Sequence, residues 1–129
     1  MWNNKDFVDN TFKSFFEFSK NRKLVLFGAG DKSTVCIKEF LDPNGLEVNY
    51  IIDNDFRLWH SKHMGFNIYP VTQILKEPKD SYVILITLDK PYRIAAYLED
   101  LQVGNYFSSH LFLEPYFEKY IKRVFCIFF

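Results

Sequence analysis

Cysteine is scarce in this sequence, and its scarcity bounds where the protein is expected to work. Cys36 and Cys126 are the only cysteines in 129 residues, so we expect no disulfide framework and a reducing, cytoplasmic location. The first residues lack the apolar segment of a signal peptide, and no apolar run is long enough to cross a membrane. The sequence therefore predicts a protein without a membrane span.

Net charge is also absent, because Lys and Arg together number 16 and so do Asp and Glu. Since no basic field or polybasic run is present, we expect neither a nucleic-acid partner nor attraction to a membrane surface. Hydrophobic residues make up 48% of the chain, which is enough for the core of one domain. The 15 Phe and 8 Tyr residues indicate a core that is rich in aromatic side chains.

One glycine is missing from an otherwise familiar nucleotide-binding pattern. A buried strand is predicted at 24–27, Gly28 and Gly30 follow it, and a helix with one apolar face is predicted over 31–41. Glycines at such a turn let a phosphate approach the backbone, and the helix N-terminus offers N–H groups and a partial positive charge. The pattern G-x-G-x-x-G has its third glycine where this chain has Ser33, which loosens the match.

An acidic residue follows the second predicted strand, 48–52. Asp53 lies 23 positions after Gly30, close to the spacing at which an acidic side chain binds the ribose hydroxyls of a nucleotide. Together these segments predict an α/β fold of the Rossmann-like type, with three layers and a mostly parallel sheet. The alternative interpretation of Asp53 is an ordinary turn at a strand end, since Asp and Asn favour turns.

The rest of the chain continues the alternation of strands and helices. We predict strands at 67–71, 82–87 and 110–113, a loop over 57–66, and a helix that begins at Pro91. The ends of these strands fall at the edge of the sheet where open α/β folds bind ligands. Thr87 therefore joins the candidate ligand contacts.

The candidate binding residues all follow predicted strands. They are Gly28, Ala29, Gly30, Asp31, Lys32, Ser33, Asp53, Asn54 and Thr87. Lys32 is a candidate for a phosphate contact, and Lys90 and Arg93 are candidates for a phosphate or a carboxylate. For each of these basic residues the competing interpretation is a solvated surface side chain.

Apolar helices are predicted at both ends of the chain. The expected organisation is an amphipathic helix at 1–22, a Rossmann-like domain at 23–113 and an aromatic helix at 114–129. The first helix is expected to cover the sheet. The last helix either packs on the same domain or forms a contact in a homodimer, because its apolar end must be covered.

Four segments carry a resemblance to a known group of proteins. They are VLFGAG at 25–30, YIIDND at 50–55, GFNIYPV at 65–71 and YVILIT at 82–87. The chain resembles, over roughly 23–113, the small Rossmann-like domains attached to bacterial sugar-modifying enzymes of surface-polysaccharide biosynthesis. That group includes the N-terminal domain of sugar-nucleotide acetyltransferases and the nucleotide-binding domain ahead of polysaccharide-biosynthesis dehydratases. The resemblance implies a nucleotide or nucleotide-sugar site lined by Gly28, Gly30 and Asp53.

The catalytic domain of that group is not found in this sequence. The chain has neither a hexapeptide repeat for acetyl transfer nor the Tyr-x-x-x-Lys dyad of sugar dehydrogenases. We therefore expect a binding module for a nucleotide-type small molecule, with NAD(P) or a nucleotide-sugar as the candidate ligand and a separate protein as the candidate catalytic partner.

Two other function classes stay open on the sequence alone. The first is an NAD(P)-dependent or nucleotide-sugar-modifying enzyme, for which the catalytic residues are unknown and His60, His63, Asp89 and Tyr92 are candidates. A methyl-donor-binding enzyme is a minor variant of this class. The second is an interaction or regulatory protein with an empty nucleotide site. No metal is expected, because the His60–His63 pair has no further ligand nearby and Asp53–Asp55 lacks the rest of a calcium loop.

Overall fold

The computed structural model describes the secondary structure of residues 4–110 and the side chains of residues 12–110. The helix predicted at 114–129 lies outside the described residues. Within the described part of the chain, no helix is both long enough and apolar enough to span a membrane.

Six strands form one sheet in the described part of the chain. In chain order they are β1 (Lys23–Phe27), β2 (Val48–Ile52), β3 (Lys62–His63), β4 (Phe66–Tyr69), β5 (Tyr82–Ile86) and β6 (Tyr106–Ser108). Their spatial order is β3-β4-β2-β1-β5-β6, and only the β3–β4 pair among them is antiparallel. The chain fills one side of β1 first and then crosses to the other, so the strand order reverses between β1 and β5. In open α/β sheets such a reversal creates a ligand-binding crevice outside the carboxyl ends of the strands.

The central strand β1 is apolar because both of its faces are covered. Successive side chains of a strand point to opposite faces. Leu24 and Leu26 belong to the core on one face, while Val25 and Phe27 belong to the core on the other. All four side chains are buried. A continuous apolar run, rather than an alternating one, is what a buried parallel strand requires.

Helices cover both faces of the sheet. Helix α1 (Asn4–Ser19) and helix α2 (Asp31–Cys36), which continues as a π-helical turn (Ile37–Leu41), contribute Phe15, Cys36 and Leu41 to one core. Helix α3 (Pro91–Asp100) and the 3-10 segment Val71–Lys76 contribute to the other. The predicted three-layer, mostly parallel α/β fold is thereby confirmed.

Cys36 lies within the first of these cores and is fully buried. Burial raises the pKa of its thiol to about 12, because the apolar surroundings disfavour the thiolate. The side chain therefore acts as a small apolar core residue.

Aromatic rings attach α1 to the sheet. Phe15 and Phe18 each pack on Phe107 of β6, with ring centroids 5.7 and 5.5 Å apart. Phe12 packs on Phe40 of the π-helical turn, with centroids 6.0 Å apart. Edge-to-face and tilted ring pairs at these distances add to the stabilisation that burial provides. These contacts place Phe12, Phe15 and Phe18 of α1 on the domain itself.

Two strands of the sheet differ from the sequence predictions. β3 lies inside the predicted loop 57–66, and β6 at Tyr106–Ser108 precedes the predicted strand 110–113, of which His110 alone is among the described residues and is not in a strand. Both strands are short and lie at the two edges of the sheet. An edge strand has one neighbour and is only partly buried, so its sequence does not need the continuous apolar run of a central strand.

Candidate functional site

The turn after β1 is shaped by Gly28. Its φ angle is +120°, a region that residues with a Cβ rarely adopt. A Cβ at this position would also lie 2.8 Å from the hydroxyl oxygen of Thr87 and 2.8 Å from Cδ2 of Leu88. The N–H of Gly28 donates to the carbonyl oxygen of Ile52 at the end of β2 (3.0 Å). Gly28 is therefore enclosed by the ends of both neighbouring strands.

Gly30 has a different environment. Its φ is −123°, which any residue can adopt, and no atom lies within 4 Å of the position that a Cβ would take. Its carbonyl oxygen accepts from the backbone N–H of Thr34 (3.2 Å) and from the hydroxyl of Ser33 (2.7 Å). The outer side of the glycine turn is thus open, and a ligand can approach the backbone there.

Asp53 contacts the glycine turn directly. Its Oδ2 accepts from the backbone N–H of Ala29, which lies between the two glycines (3.2 Å), and its Oδ1 accepts from the N–H of Asp55 (2.8 Å). The carboxylate is half-buried. Each carboxylate oxygen has a second lone pair, so these two bonds leave capacity for ligand hydroxyls. The residues predicted to bind ribose and phosphate are therefore adjacent.

The segment after Asp53 is ordered by short-range bonds. Asp55 accepts two side-chain hydrogen bonds from Arg57, from Nε and Nη2, both 2.9 Å long. The Arg57 guanidinium lowers the pKa of the Asp55 carboxyl, chiefly through these bonds. The indole N–H of Trp59 donates to the carbonyl oxygen of Asp53 (2.8 Å). Asn54 is exposed at the tip of this turn.

Ser33, at the position of the missing third glycine, is fully buried and hydrogen-bonded. Its Oγ donates to the carbonyl oxygen of Gly30 and lies 2.9 Å from Nε2 of His63; the Thr34 hydroxyl lies 3.1 Å from the same nitrogen. The His63 ring nitrogen therefore hydrogen-bonds to both hydroxyl groups at the start of α2. His63 from β3 thus supports the start of α2.

The β5–α3 loop, residues 87–90, lies on the other side of the turn. Thr87 is buried, and its hydroxyl donates to the carbonyl oxygens of Phe27 (3.0 Å) and Gly28 (3.3 Å). Beyond it, Lys32 of α2 forms an ion pair with Asp89 of the loop, with Nζ and Oδ1 2.6 Å apart. Lys32 and this loop lower the pKa of the Asp89 carboxyl, with Lys32 the largest cause. The ion pair joins the β1 side of the crevice to the β5 side.

The four candidate catalytic residues have different environments. His63 contacts Ser33, and Asp89 pairs with Lys32. The ring of His60 packs edge-on against Tyr69, with ring centroids 6.3 Å apart. Tyr92 is exposed on α3. Over the described residues, no group of three or more His, Cys, Asp or Glu side chains is placed to hold a metal ion. Chemically, the arrangement supplies an anion-accessible backbone turn, a carboxylate acceptor and a lysine cation.

Sequence reasoning proposed the residues of the glycine turn but not their partners. It did not pair Lys32 with Asp89, and it did not bring His63 to Ser33 or Leu88 to Gly28. These pairs are 57, 30 and 60 positions apart along the chain. The order of the strands in the whole sheet, β3-β4-β2-β1-β5-β6, brings them together, and no local pattern in the sequence carries that information.

Comparison with solved structures places this arrangement in a Rossmann-like fold class. Three crystal structures of RSP, a Rex-family repressor, are each 14% identical to this chain and cover 98% of it. For the first RSP structure the TM-score is 0.51 over 70% of the RSP chain, and for RSP in complex with beta-NADH it is 0.50 over 71%. For RSP in complex with beta-NAD+ and operator DNA it is 0.49 over 68%. At this level of identity the similarity shows the fold.

Sequence comparisons identify no family for the chain. No protein-family model matches it, and no curated protein matches it in sequence. The fold class therefore rests on the sheet order and on similarity to solved structures.

The prediction that no nucleic acid is a partner is wrong as an inference from net charge. RSP, which has a similar fold, has been solved in complex with operator DNA. A chain total of zero reports only the sum of charges, while contact with nucleic acid depends on where charges lie. Zero net charge therefore does not by itself exclude a nucleic-acid partner.

Proposed function

We propose that this chain is a binding module for a dinucleotide of the NAD(H) type, held at the carboxyl edge of the sheet between β1 and β5. The observation that carries the proposal is the 3.2 Å hydrogen bond between the Ala29 N–H and the Asp53 carboxylate. This bond makes the turn suited to a phosphate and the acid suited to a ribose parts of one continuous site. The structure of RSP with beta-NADH supports the choice of ligand class.

In this proposal the three parts of the site have separate roles. The open face at Gly30 and the start of the helical segment 31–41 receive the diphosphate, since the first amides of a helix have no partner within it. Asp53 accepts from the ribose hydroxyls with the lone pairs that its backbone bonds leave over. Lys32 supplies a cation at the phosphate.

The proposal assigns binding rather than catalysis to the chain. General acid–base chemistry needs a titratable group within hydrogen-bond reach of the reacting atom. His63 and Asp89, the candidates nearest the turn, are held by Ser33 and Lys32. A catalytic partner protein, self-association through the terminal helices and a cytoplasmic location stay predictions from the sequence.

The narrower role in surface-polysaccharide synthesis comes from the sequence resemblance alone. None of the solved structures described above is a sugar-modifying enzyme. Nucleotide-sugars therefore enter as competing ligands in the test, and the polysaccharide role is not part of the proposal.

A thermal-shift panel tests the proposal with NADH, NAD+, NADP+ and UDP-, GDP- and CDP-sugars. A ligand at 100 times its Kd stabilises the fold by about 2.7 kcal/mol, which raises the Tm of a domain of this size by roughly 10 °C. We expect this shift with NADH or NAD+. No shift with any ligand would contradict nucleotide binding and favour an interaction protein with an empty site.

Two variants, one at each end of β2, locate the binding site. Asp53→Ala removes the carboxylate at the carboxyl end of the strand, whereas Glu47→Ala removes an exposed carboxylate just before its amino end. We expect the NADH-dependent shift to fall strongly in Asp53→Ala and to persist in Glu47→Ala. Equal shifts in both variants would place the ligand away from Asp53.

A further inference from the structure

The ion pair between Lys32 and Asp89 spans the crevice that the proposed function assigns to the ligand. Lys32 lies in the first turn of α2, directly after the glycine turn, and Asp89 lies in the β5–α3 loop. The same loop places Leu88 against Gly28. The loop is therefore fastened to the glycine turn at two points, one by packing and one by charge.

We propose that Asp89 is a built-in competitor for the phosphate of the ligand, occupying the Lys32 ammonium until a diphosphate displaces it. This inference rests on the proposed function and adds a specificity-determining residue to it. A diphosphate and a carboxylate are both oxyanions that accept charge-assisted hydrogen bonds from an ammonium group. Lys32 can therefore exchange one for the other without a change of site.

The exposure of the two partners favours exchange. The side chain of Asp89 is 84% exposed, whereas that of Lys32 is 30% exposed. Water readily solvates the released carboxylate, so the pair is held only weakly despite its 2.6 Å distance. Lys32 is less exposed, so its attraction for a bound phosphate is screened less by solvent.

Released Asp89 also keeps favourable neighbours. Lys90 and His110 both lie near enough to lower the pKa of its carboxyl, in addition to Lys32. Since Lys90 of the same loop stays near the carboxylate, losing Lys32 does not leave Asp89 without a positive neighbour. Releasing Asp89 from Lys32 therefore costs little free energy.

A double-mutant cycle on the full chain tests the proposal by calorimetric titration with NADH. Asp89→Asn removes the competitor and keeps its shape, and it should lower the Kd by about two- to fivefold, the scale of a solvent-exposed ion pair. Lys32→Gln should raise the Kd. In the Lys32→Gln background, Asp89→Asn should have no further effect, because the competitor acts only through Lys32.

Two controls separate exchange from a general change in charge. Glu39→Gln removes one carboxylate from the exposed side of the same helical segment and should leave the Kd within experimental error. Adenosine lacks phosphate, so Asp89→Asn should not increase the affinity of the protein for adenosine.

The outcomes distinguish this inference from the function on which it rests. If wild type binds NADH and Asp89→Asn leaves the Kd unchanged, or tightens binding equally in the Lys32→Gln background, the competitor role is wrong and the binding function stands. If neither wild type nor any variant binds NADH, both proposals fail.

Discussion

The two glycines of the turn after β1 look equivalent in the sequence and differ in the structure. Gly28 has a positive φ and is enclosed by Thr87 and Leu88, whereas Gly30 has an ordinary φ and open space where a Cβ would lie. The fold requires the first glycine. The second is not required by the fold, and the open space beside it is what a ligand needs. One motif thus combines a structural position with a proposed binding position.

The largest expected effect is the loss of stability when Gly28 gains a Cβ, compared with the same change at Gly30. Gly28→Ala should lower the free energy of unfolding by roughly 2–4 kcal/mol, because backbone strain and steric overlap act together. Thr87 cannot easily yield, since its hydroxyl is fixed by two carbonyl oxygens. Gly30→Ala should stay within about 1 kcal/mol of wild type. Urea denaturation of both variants measures the difference, and equal losses would contradict it.

An intermediate effect is expected where the sequence departs from the glycine pattern. Ser33→Gly restores the pattern but should destabilise the fold by about 2 kcal/mol, since it removes a buried hydrogen-bonding hydroxyl and adds a flexible residue to a helix. Ser33→Ala removes only the hydroxyl and should cost about 1 kcal/mol. Denaturation of the two variants checks this order. A Ser33→Gly variant as stable as wild type would show that the bonds to Gly30 and His63 contribute nothing.

The smallest expected effect concerns the Lys32–Asp89 pair and the pH dependence of stability. The pKa of the Asp89 carboxyl is lowered in the fold, chiefly by Lys32, so its contribution is present above the ordinary pKa of an aspartate and is lost as pH falls through the lowered value. Asp89→Asn should therefore lower Tm slightly at pH 7, and the difference should vanish in strong acid. Thermal melts at low and high salt measure it. A difference that survives both acid and salt would contradict an electrostatic origin.

The sequence predicts the central part of this fold well. The runs at 24–27, 48–52 and 82–87 lie within one residue of β1, β2 and β5 at each end. These strands are buried on both faces, so their side chains are apolar without alternation. Such short apolar runs are typical of buried strands, because a helix is usually longer. The edge strands β3 and β6 were not predicted, because half-exposed strands carry weaker patterns.

The sequence predicts candidate residues for the site but not the contacts between them. Gly28, Gly30 and Asp53 are recognisable because their spacing is local to one strand–helix–strand unit. The contacts of Lys32 with Asp89 and of Ser33 with His63 depend on strand order and on loop placement across the sheet. Such long-range contacts follow from packing of the whole domain, which a local motif does not encode.

We propose that a dinucleotide binds where the ends of β1, β2 and β5 meet. Titration of isotope-labelled protein with NADH, followed by amide NMR shifts, locates the bound ligand on the sheet. We expect the signals of amides at 28–33, 53–55 and 87–90 to shift together, while those of Lys23 and Ser81 at the opposite edge stay unchanged. Shifts confined to that opposite edge, or no shifts at all with NADH in excess, would contradict it.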